Sequence, residues 1–500
     1  MITTMTEEIK TWEAERIRQD QIDRYLKRGR DFIPDDEIEA RLAGAVCPDA
    51  SWVREILAKA MEIQTLSPDE TAALLAVRNP ELWREMEEAG AKIKNKVYDN
   101  RIVTFAPLYL SNHCVNNCAY CGLRRDNEVI HRNRLTQDEV RAETEALAGR
   151  IGHKRLIVVY GEHPDSGLDY ITETMRTIYR VKVKTRRGWG AIRRVNVNAA
   201  PMAVEELKEL GSAGLGTYQV FQETYHKKTY ARLHPKGTLK GNYLWRLYSM
   251  HRALEAGVDD VGVGVLFGLG DWRFEVMALL YHAIELEAAM GIGPHTISFP
   301  RMEPAANTPF TASSRHQVSD ADFQRAITVL RLAVPYTGMI LTARENAAMR
   351  RSLMPLGITQ TDASSRIKVG AYGEADQPAQ EGDRQQFQLG DTRSLDEVVR
   401  ELAQMGYITS FCTAGYRCGR TGKCIMDLLR SGQEGKFCKL NAVLTFREWL
   451  DDFASPETKV AGEPIVEREI GEIRARMPKV LEQFMDHYRR TSGGERDLYF

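Results

Sequence analysis

The chain has 500 residues, 43% hydrophobic and 27% charged, and its 68 basic and 69 acidic residues give a net charge of −1. This composition excludes general disorder, and the balanced charge offers no global attraction for nucleic acid or for an anionic membrane surface. No apolar run approaches the ~18 residues that span a bilayer, and the amino end lacks the apolar core of a signal peptide. We therefore expect a cytoplasmic protein that binds neither nucleic acid nor membrane.

The N-terminal part of the chain is rich in Glu, Arg, Ala and Leu at helical spacing, which predicts a helical extension over residues 1–95. Ser51 and Ser67 are the predicted caps of two of its helices. Cys47 stands apart from the other cysteines in this extension. We expect it to be a small buried residue without a chemical role.

From about residue 100 the sequence changes to short β-rich runs, each followed by a helical stretch. The eight runs cover 104–111, 155–162, 193–200, 216–223, 260–268, 294–301, 338–345 and 357–364. Such alternation predicts an α/β fold, a (βα)8 TIM barrel over 96–372, with its site at the carboxyl ends of the strands. An open doubly wound sheet is less favoured, because no GxGxxG motif follows the first strand. The basic stretch 182–194 is interpreted as a solvated connection, because no aromatic ladder accompanies it.

Seven of the eight cysteines fall in two groups, which in a reducing compartment favours metal ligation or redox chemistry over disulfides. Cys114, Cys118 and Cys121 form the first group, with C-x3-C-x2-C spacing directly after the first predicted strand. Three thiolates can hold three irons of a 4Fe-4S cluster and leave the fourth iron open to a non-protein ligand. A zinc site usually has four ligands, and no fourth one has suitable spacing here, although His113 is adjacent.

This spacing, with the aromatic Tyr120 before the last cysteine, resembles the radical S-adenosylmethionine superfamily. The resemblance implies a 4Fe-4S cluster whose open iron binds S-adenosylmethionine and cleaves it to a 5′-deoxyadenosyl radical. The other cofactor-binding candidates lie at strand ends and would contact the methionine ammonium, the ribose hydroxyls and the adenine. In that order they are Gly161 and Glu162, Gln222 and Glu223, and Gly264 and Leu266.

Several longer segments resemble one family within this superfamily, the FeFe-hydrogenase maturase HydG family. They are VVYGEHP, GTYQVFQETYH, DDVGVGVLFGLGDWRFE, GPHTISFPRMEP and GERDLYF, and the resemblance runs from about residue 20 to residue 500. It implies cleavage of the Cα–Cβ bond of L-tyrosine to p-cresol and dehydroglycine. It also implies a reductant such as flavodoxin or ferredoxin, and other hydrogenase maturation proteins as partners. In this family a second cluster then converts dehydroglycine to carbon monoxide and cyanide.

The carboxylate of a bound tyrosine needs a cationic partner, because an unpaired buried charge is costly. Arg301, at the end of the sixth strand, has the planar fork for this role. Ser298, earlier in the same strand, is expected on the same face, so both are candidate catalytic residues. The alternative is that Arg301 forms an ion pair with Glu303 or Glu345.

The polar stretch 373–395 is the predicted start of a helical C-terminal domain, 373–500, which holds the second cysteine group. This group consists of Cys412, Cys418, Cys424 and Cys438. The family pattern here is C-x2-C-x22-C, but its middle position is Gly415, which has no ligating atom.

Three alternatives follow for this second group. Cys418 or Cys424 supplies the missing thiolate of a second iron–sulfur cluster, the four thiols hold another metal such as zinc, or the site is lost. His282 matches a helix position that the resemblance assigns to the ligand of a labile iron. The alternative for His282 is a packed or solvated residue.

The sequence thus predicts a radical S-adenosylmethionine carbon–carbon lyase that acts on tyrosine. One alternative is a divergent aromatic amino-acid lyase similar to 2-iminoacetate synthase, which forms no carbon monoxide or cyanide. The other is a non-enzymatic iron or cluster carrier that uses the C-terminal thiols.

Overall fold

The computed structural model describes residues 7–373, 380–432 and 434–500, without the side chains of 434–437. The first six residues of the predicted N-terminal extension, and 374–379 of the predicted boundary stretch, lie outside the described residues. No helix in the described part of the chain is long and apolar enough to cross a membrane.

Helices alone precede the first barrel strand in the described residues. They are α1 (Glu7–Arg16), α2 (Asp20–Asp23), α3 (Asp35–Gly44), α4 (Ala50–Met61), α5 (Pro68–Ala76) and α6 (Pro80–Tyr98). Ser67 caps α5, as predicted, in a reciprocal capping box with Glu70. The prediction for Ser51 is wrong, because Asp49 caps α4 by accepting the N–H of Trp52. Cys47 is exposed in the connection between α3 and α4, so its predicted burial is also wrong.

The predicted barrel is confirmed, because all eight predicted β-rich runs form strands. The strands are β1 (Arg101–Ser111), β2 (Arg155–Tyr160), β3 (Val183–Lys184), β4 (Trp189–Gly190), β5 (Arg194–Asn198), β6 (Leu215–Gln219), β7 (Val261–Gly264), β8 (Thr296–Ser298), β9 (Gly338–Leu341), β10 (Gln360–Asp362) and β11 (Ile408–Ser410). The parallel barrel order is β1-β2-β5-β6-β7-β8-β9-β10, and pairing of Val103 in β1 with Gln360 in β10 closes it. Strands β3 and β4 form a short antiparallel hairpin outside the barrel.

Helices follow the barrel strands and bury their apolar faces against the sheet. They are α7 (Gln137–Glu145), α8 (Leu168–Arg180), α9 (Val204–Ser212), α10 (Lys227–Leu233), α11 (Tyr243–Leu247), α12 (Ser249–Glu255), α13 (Trp272–Met290), α14 (Phe310–Ser313), α15 (Asp320–Ala333) and α16 (Ala347–Leu353). This arrangement leaves the strand ends to form the two mouths of the barrel.

The C-terminal part joins the barrel sheet directly. Strand β11 pairs in parallel with β1, with Arg101 opposite Ile408. The helices of this part are α17 (Leu395–Gln404), α18 (Gly422–Arg430), α19 (Glu434–Asp452), α20 (Pro456–Arg476) and α21 (Leu481–Ser492). The helical content of this region therefore agrees with the prediction.

The basic stretch 182–194 anchors the C-terminal helices and is not merely a solvated connection. Arg193 lies 2.8 Å from the buried carboxylate of Glu448 in α19, and Lys154 lies 3.0 Å from the same carboxylate. Burial alone would raise the pKa of Glu448, but these two cations lower it to about 2. The positive charge predicted to face solvent therefore binds the last helices to the barrel.

Candidate active site

The loop after β1 carries Cys114, Cys118 and Cys121, and all three line one cavity of about 240 Å³ at the carboxyl ends of the strands. Backbone hydrogen bonds fix this cluster loop. The N–H of Val115 donates to the carbonyl of Glu162 at 2.8 Å, which ties the loop to the end of β2. The structure therefore brings the three predicted ligands to a single space.

Two thiols of this group, Cys114 and Cys118, are held where ionisation without a metal is unfavourable. Burial raises the pKa of Cys114, and it raises the pKa of Cys118 to about 12 despite the nearby Lys240 ammonium. The mutual repulsion of the thiolates adds to both shifts. Ionised thiolates here need the positive charge of a metal. Because no fourth cysteine lines the cavity among the described residues, the donor set fits a 4Fe-4S cluster with one open iron.

Gly161, at the end of β2, forms a cradle for the cluster loop. Its N–H donates to the carbonyl of Ser111 at 2.9 Å. A Cβ atom here would collide with the carbonyl oxygen of His113 and lie 3.3 Å from the Cβ of Cys114. Glycine is therefore required at this position for the close approach of the loop.

Most of the predicted cofactor-binding residues line the same cavity. Those that do are Tyr120, Gly161, Glu162, Glu223 and Leu266. Gln222 and Gly264 do not line it. The amide of Gln222 is buried without a hydrogen-bond partner among the described residues. A Cβ at Gly264 would lie 2.5 Å from the carbonyl oxygen of Ser298, so this glycine permits close packing of β7 and β8.

Two cavity-lining cations, Lys240 and Arg246, were missed in the sequence analysis. The carboxylate of Glu223 lies 2.9 Å from Lys240 and 3.6 Å from Arg246. Burial alone would raise the pKa of Glu223, but the two cations hold it below its usual value. Glu162 instead accepts a hydrogen bond from the Asn116 amide at 2.5 Å, and burial raises its pKa. The cavity therefore contains one carboxyl group with a lowered pKa, Glu223, and one with a raised pKa, Glu162.

The structure places Arg301 in an ion pair and not in the cavity. Its Nε donates to Glu345 at 2.9 Å, Nη2 donates to the same carboxylate, and Nη1 donates to Asp320 at 2.7 Å and to the carbonyl of Val318 at 2.9 Å. Glu345 is buried, so the pairing neutralises its charge. This placement argues against the predicted carboxylate-binding role of Arg301 and agrees with the alternative of an ion pair. Ser298 does line the cavity, so the two residues do not share a face.

Arg344, at the end of β9, is the arginine that the structure places in the cavity. Its guanidinium makes no hydrogen bond to any described residue and lies 3.3 Å from the centre of the Phe387 ring. Burial lowers the pKa of Arg344. Glu303 also lines the cavity, and burial together with the nearby Glu345 raises its pKa to about 7. The cavity thus contains a cation free to bind an anion, next to a carboxyl group that titrates near neutrality.

Part of the predicted boundary stretch covers the cavity. Gln386, Phe387 and Leu389 line it, and the amide of Gln386 donates to the Sγ of Cys121 at 3.4 Å. The other end of this amide accepts a hydrogen bond from the hydroxyl of Tyr109 at 2.8 Å. The segment therefore acts as a cover that contacts a cluster ligand directly.

The second cysteine group begins in the loop after β11 with Cys412 and Cys418, and continues with Cys424 in α18 and Cys438 in α19. Cys412 is half-buried, and Cys418 and Cys424 are exposed. The thiol of Cys418 contacts the carbonyl oxygen of the C-terminal residue Phe500 at 3.4 Å, and Arg420 donates to the same oxygen at 2.5 Å. Phe500 is therefore docked beside Cys418, one of the two cysteines that are candidates to replace the ligand missing at position 415.

His282 packs among aromatic side chains. It is buried in α13, outside the barrel, with Nδ1 2.6 Å from the hydroxyl of Tyr225 and its ring 5.0 Å from that of Phe32. Burial lowers its pKa to about 3. The Nε2 of His282 is buried without a hydrogen-bond partner among the described residues, so its role as an iron ligand stays a prediction beside the alternative of a packed residue.

A different histidine, His295, lies at the amino-terminal mouth of the barrel next to the second group. Its Nδ1 is 2.9 Å from the carboxylate of Asp260, which in turn pairs with Arg194 at 3.2 Å. The ring of Tyr416, four residues after Cys412, packs directly against the Arg194 guanidinium. The sequence signal for His295 was its position just before β8, which puts it at this mouth.

Comparisons with known proteins agree with this architecture. Residues 108–280 match the Radical SAM superfamily, and 298–408 match the Biotin and Thiamin Synthesis associated domain. The 2-iminoacetate synthase of Escherichia coli is 30% identical over 374 residues, 74% of this chain and 92% of that protein.

Two solved structures cover nearly the whole chain. The crystal structure of HydG, a maturase of the [FeFe]-hydrogenase, is 46% identical with a TM-score of 0.88, over 94% of this chain and all of that one. HydG from Carboxydothermus hydrogenoformans is 35% identical with a TM-score of 0.71, over 98% of this chain and 99% of that one. With the three converging thiols, these matches show that the chain belongs to the HydG family of radical S-adenosylmethionine enzymes, whose cofactors are a 4Fe-4S cluster and S-adenosylmethionine.

Proposed function

We propose that this enzyme cleaves the Cα–Cβ bond of L-tyrosine to give p-cresol and dehydroglycine. One observation carries the proposal: a single cavity joins the three cluster-binding thiols to an arginine without a hydrogen-bonded partner among the described residues. The 2-iminoacetate synthases and the HydG structures to which the chain is similar support it. When bound, the cluster and S-adenosylmethionine supply a 5′-deoxyadenosyl radical to this cavity.

The charged residues of the cavity suit an amino-acid zwitterion. Arg344 is positioned to bind the substrate carboxylate through its planar fork, and Phe387 orients the guanidinium by stacking on it. Ser298 lies in the same cavity and offers a hydroxyl to the same carboxylate. Glu303, with a pKa of about 7, accepts a proton from the substrate ammonium. The cover segment with Gln386 keeps water from the radical.

The residues of the second group do not fit a C-x2-C-x22-C cluster, because Gly415 provides no thiolate. We therefore derive no conversion of dehydroglycine to carbon monoxide and cyanide. The favoured end products are p-cresol and dehydroglycine, as expected for a 2-iminoacetate synthase-like lyase. A flavodoxin or ferredoxin as reductant, and hydrogenase maturation proteins as partners, remain part of the proposal through the family resemblance alone.

Substitution of Cys118 by Ala tests the cluster assignment. We expect loss of the 4Fe-4S absorbance and of both 5′-deoxyadenosine and p-cresol, because two thiolates do not hold the cluster. The measurement is product analysis after anaerobic reconstitution and reduction with tyrosine present. Cys47→Ala, which removes an exposed cysteine far from the cluster loop, is the matched control and should keep full activity. Wild-type turnover by Cys118→Ala would refute the proposal.

Substitution of each arginine by Met separates the two candidates for carboxylate binding. Arg344→Met should raise the KM for tyrosine about a hundredfold, because the bound carboxylate then lacks its cation. Arg301→Met should lower stability by about 3–5 kcal/mol, because it leaves the Glu345 carboxylate buried without a partner. Steady-state kinetics and thermal unfolding of both variants distinguish these effects. A large KM change confined to Arg301→Met would instead show that Arg301 binds the substrate carboxylate.

Substitution of Gln386 by Leu tests the contact between the cover segment and the cluster. The amide stabilises negative charge on the sulfur of Cys121, so its loss should shift the reduction potential of the cluster to more negative values. A redox titration followed by EPR measures this potential. Gln388→Leu, at an exposed position of the same segment, is the control and should leave the potential unchanged. Equal potentials in all three proteins would exclude a role of Gln386 in tuning the cluster.

Substitution of Gly415 by Cys tests whether the second site lacks only one ligand. A Cβ atom at this position has its nearest neighbour, the carbonyl oxygen of Arg420, at 3.6 Å, so the larger side chain fits. Anaerobic reconstitution should raise the iron content from about four to about eight per chain. Gly415→Ser has a similar size without a thiolate and should stay at about four. Eight irons in the unsubstituted protein would show that another cysteine already completes the site.

A further inference from the structure

A separate set of metal-ligating side chains lies beside the cluster loop and serves no part of the proposed reaction. We call His113, His163 and Asp165 the His–His–Asp cluster. One ligand atom from each lies within 4.8 Å of the others. The Oδ2 of Asp165 is 3.4 Å from the Nδ1 of His113 and 3.2 Å from the Nδ1 of His163. A tetrahedral zinc ion with bonds of about 2.0–2.1 Å separates its ligands by about 3.3–3.4 Å. The observed spacing therefore suits one small divalent cation.

The hydrogen bonding of His163 shows that its imidazole is incompletely satisfied by the described residues. The backbone N–H of Asp165 donates to the Nδ1 of His163 at 3.2 Å, so this nitrogen carries a lone pair and the proton is on Nε2. Nε2 is buried without a hydrogen-bond partner in the described part of the chain. The Oδ2 of Asp165 lies 3.2 Å from the same nitrogen. Nδ1 has a single lone pair, so a metal ion bound there replaces the weak hydrogen bond from the Asp165 N–H, and its positive charge offsets the repulsion between the lone pair and the carboxylate.

The protonation state of His163 suits metal binding. The side chain is only 6% exposed, and burial lowers its pKa, so the imidazole is neutral at physiological pH. Neutral imidazole is the form that ligates metals. Asp165 is half-exposed, so water has access to complete the coordination.

A second cluster of potential metal ligands in the same molecule is already neutralised by a lysine. The carboxylates of Asp99, Glu469 and Glu472 also converge, but the ammonium of Lys439 lies among them, 2.9 Å from both Asp99 and Glu472. No described Lys or Arg forms a salt bridge with the carboxylate of Asp165. Arg134 donates to the backbone carbonyl of Asp165 instead. The charge of Arg134 weakens the binding of a cation, but its guanidinium does not neutralise the Asp165 carboxylate.

We propose that the His–His–Asp cluster binds one divalent first-row metal ion such as zinc, through the Nδ1 of His113, the Nδ1 of His163 and the Oδ2 of Asp165. The ligands come from two parts of the chain: His113 directly precedes Cys114, and His163 directly follows Glu162. The bound ion therefore clamps the start of the cluster loop to the turn after β2. This inference concerns a site outside the reaction cavity and stands independently of the tyrosine lyase proposal.

Zinc binding to the cluster-loaded protein tests the proposal. The protein is reconstituted anaerobically with iron and sulfide, incubated with Zn²⁺, dialysed, and analysed for zinc and iron. Wild type should retain one more zinc per chain than Asp165→Asn or His113→Gln, with iron unchanged at about four in all three. The C-terminal thiols are the same in every variant, so any zinc that they bind cancels in the comparison. Asp169→Asn, an exposed aspartate four residues further along, is the control and should bind zinc like wild type.

Co²⁺ provides a second readout that does not depend on activity. The d–d absorption of a tetrahedral site with nitrogen and oxygen ligands should appear in wild type and disappear in Asp165→Asn. Equal zinc content and equal Co²⁺ spectra in wild type and both variants would overturn the proposal. If a variant loses its iron, the Co²⁺ titration is performed on His163→Asn instead. A Co²⁺ spectrum of His163→Asn identical to that of wild type also overturns the proposal.

Discussion

Convergence of three thiols at one mouth of the barrel, with Cys118 buried, is the constraint on which the rest of the site depends. Burial disfavours the thiolate, and Cys118 shows this most clearly with its pKa of about 12. The group becomes a ligand set only when a metal replaces the protons. The surrounding structure is arranged for that state: Gly161 leaves room for the loop, Val115 ties the loop to β2, and Gln386 donates to a sulfur.

The barrel and the three thiols were predictable because both are local properties of the sequence. Alternating periodicity marks each strand, and the spacing of the cysteines in one loop almost determines that they meet. Arg301 and Arg344 show where local patterns fail. Each follows a barrel strand and each carries the same guanidinium, but Glu345 in the turn after β9 reaches Arg301 after β8. Adjacent residues Arg344 and Glu345 thus serve different neighbours, and only the three-dimensional register of the strands reveals this.

Local patterns also fail for the segment 373–395 and for the histidines. The polar composition of 373–395 predicted a boundary, and composition does not say onto which surface such a segment folds. In the described part of this stretch, Gln386 and Phe387 cover the cavity. Likewise, a histidine within a helix and a histidine before a strand look equivalent in sequence. The barrel topology puts His282 on the outside and His295 at the amino-terminal mouth.

The cysteine ligand set is complete at the mouth formed by the carboxyl ends of the strands. The set beside the amino-terminal mouth lacks one thiolate, because Gly415 stands at the middle position of the family pattern. Gly415 and Cys418 begin and end one 3-10 turn, in which side chains three residues apart lie on the same face, about 6 Å apart along the axis. Cys418, unlike Cys424 in α18, therefore shares a face with the missing ligand. To move into that place, the turn must unwind and the Cys418 thiol must leave the carbonyl of Phe500. A lost hydrogen bond costs only about 1 kcal/mol, far less than a structural metal site returns. The contact of Cys418 with Phe500 therefore opposes assembly of the second site only weakly.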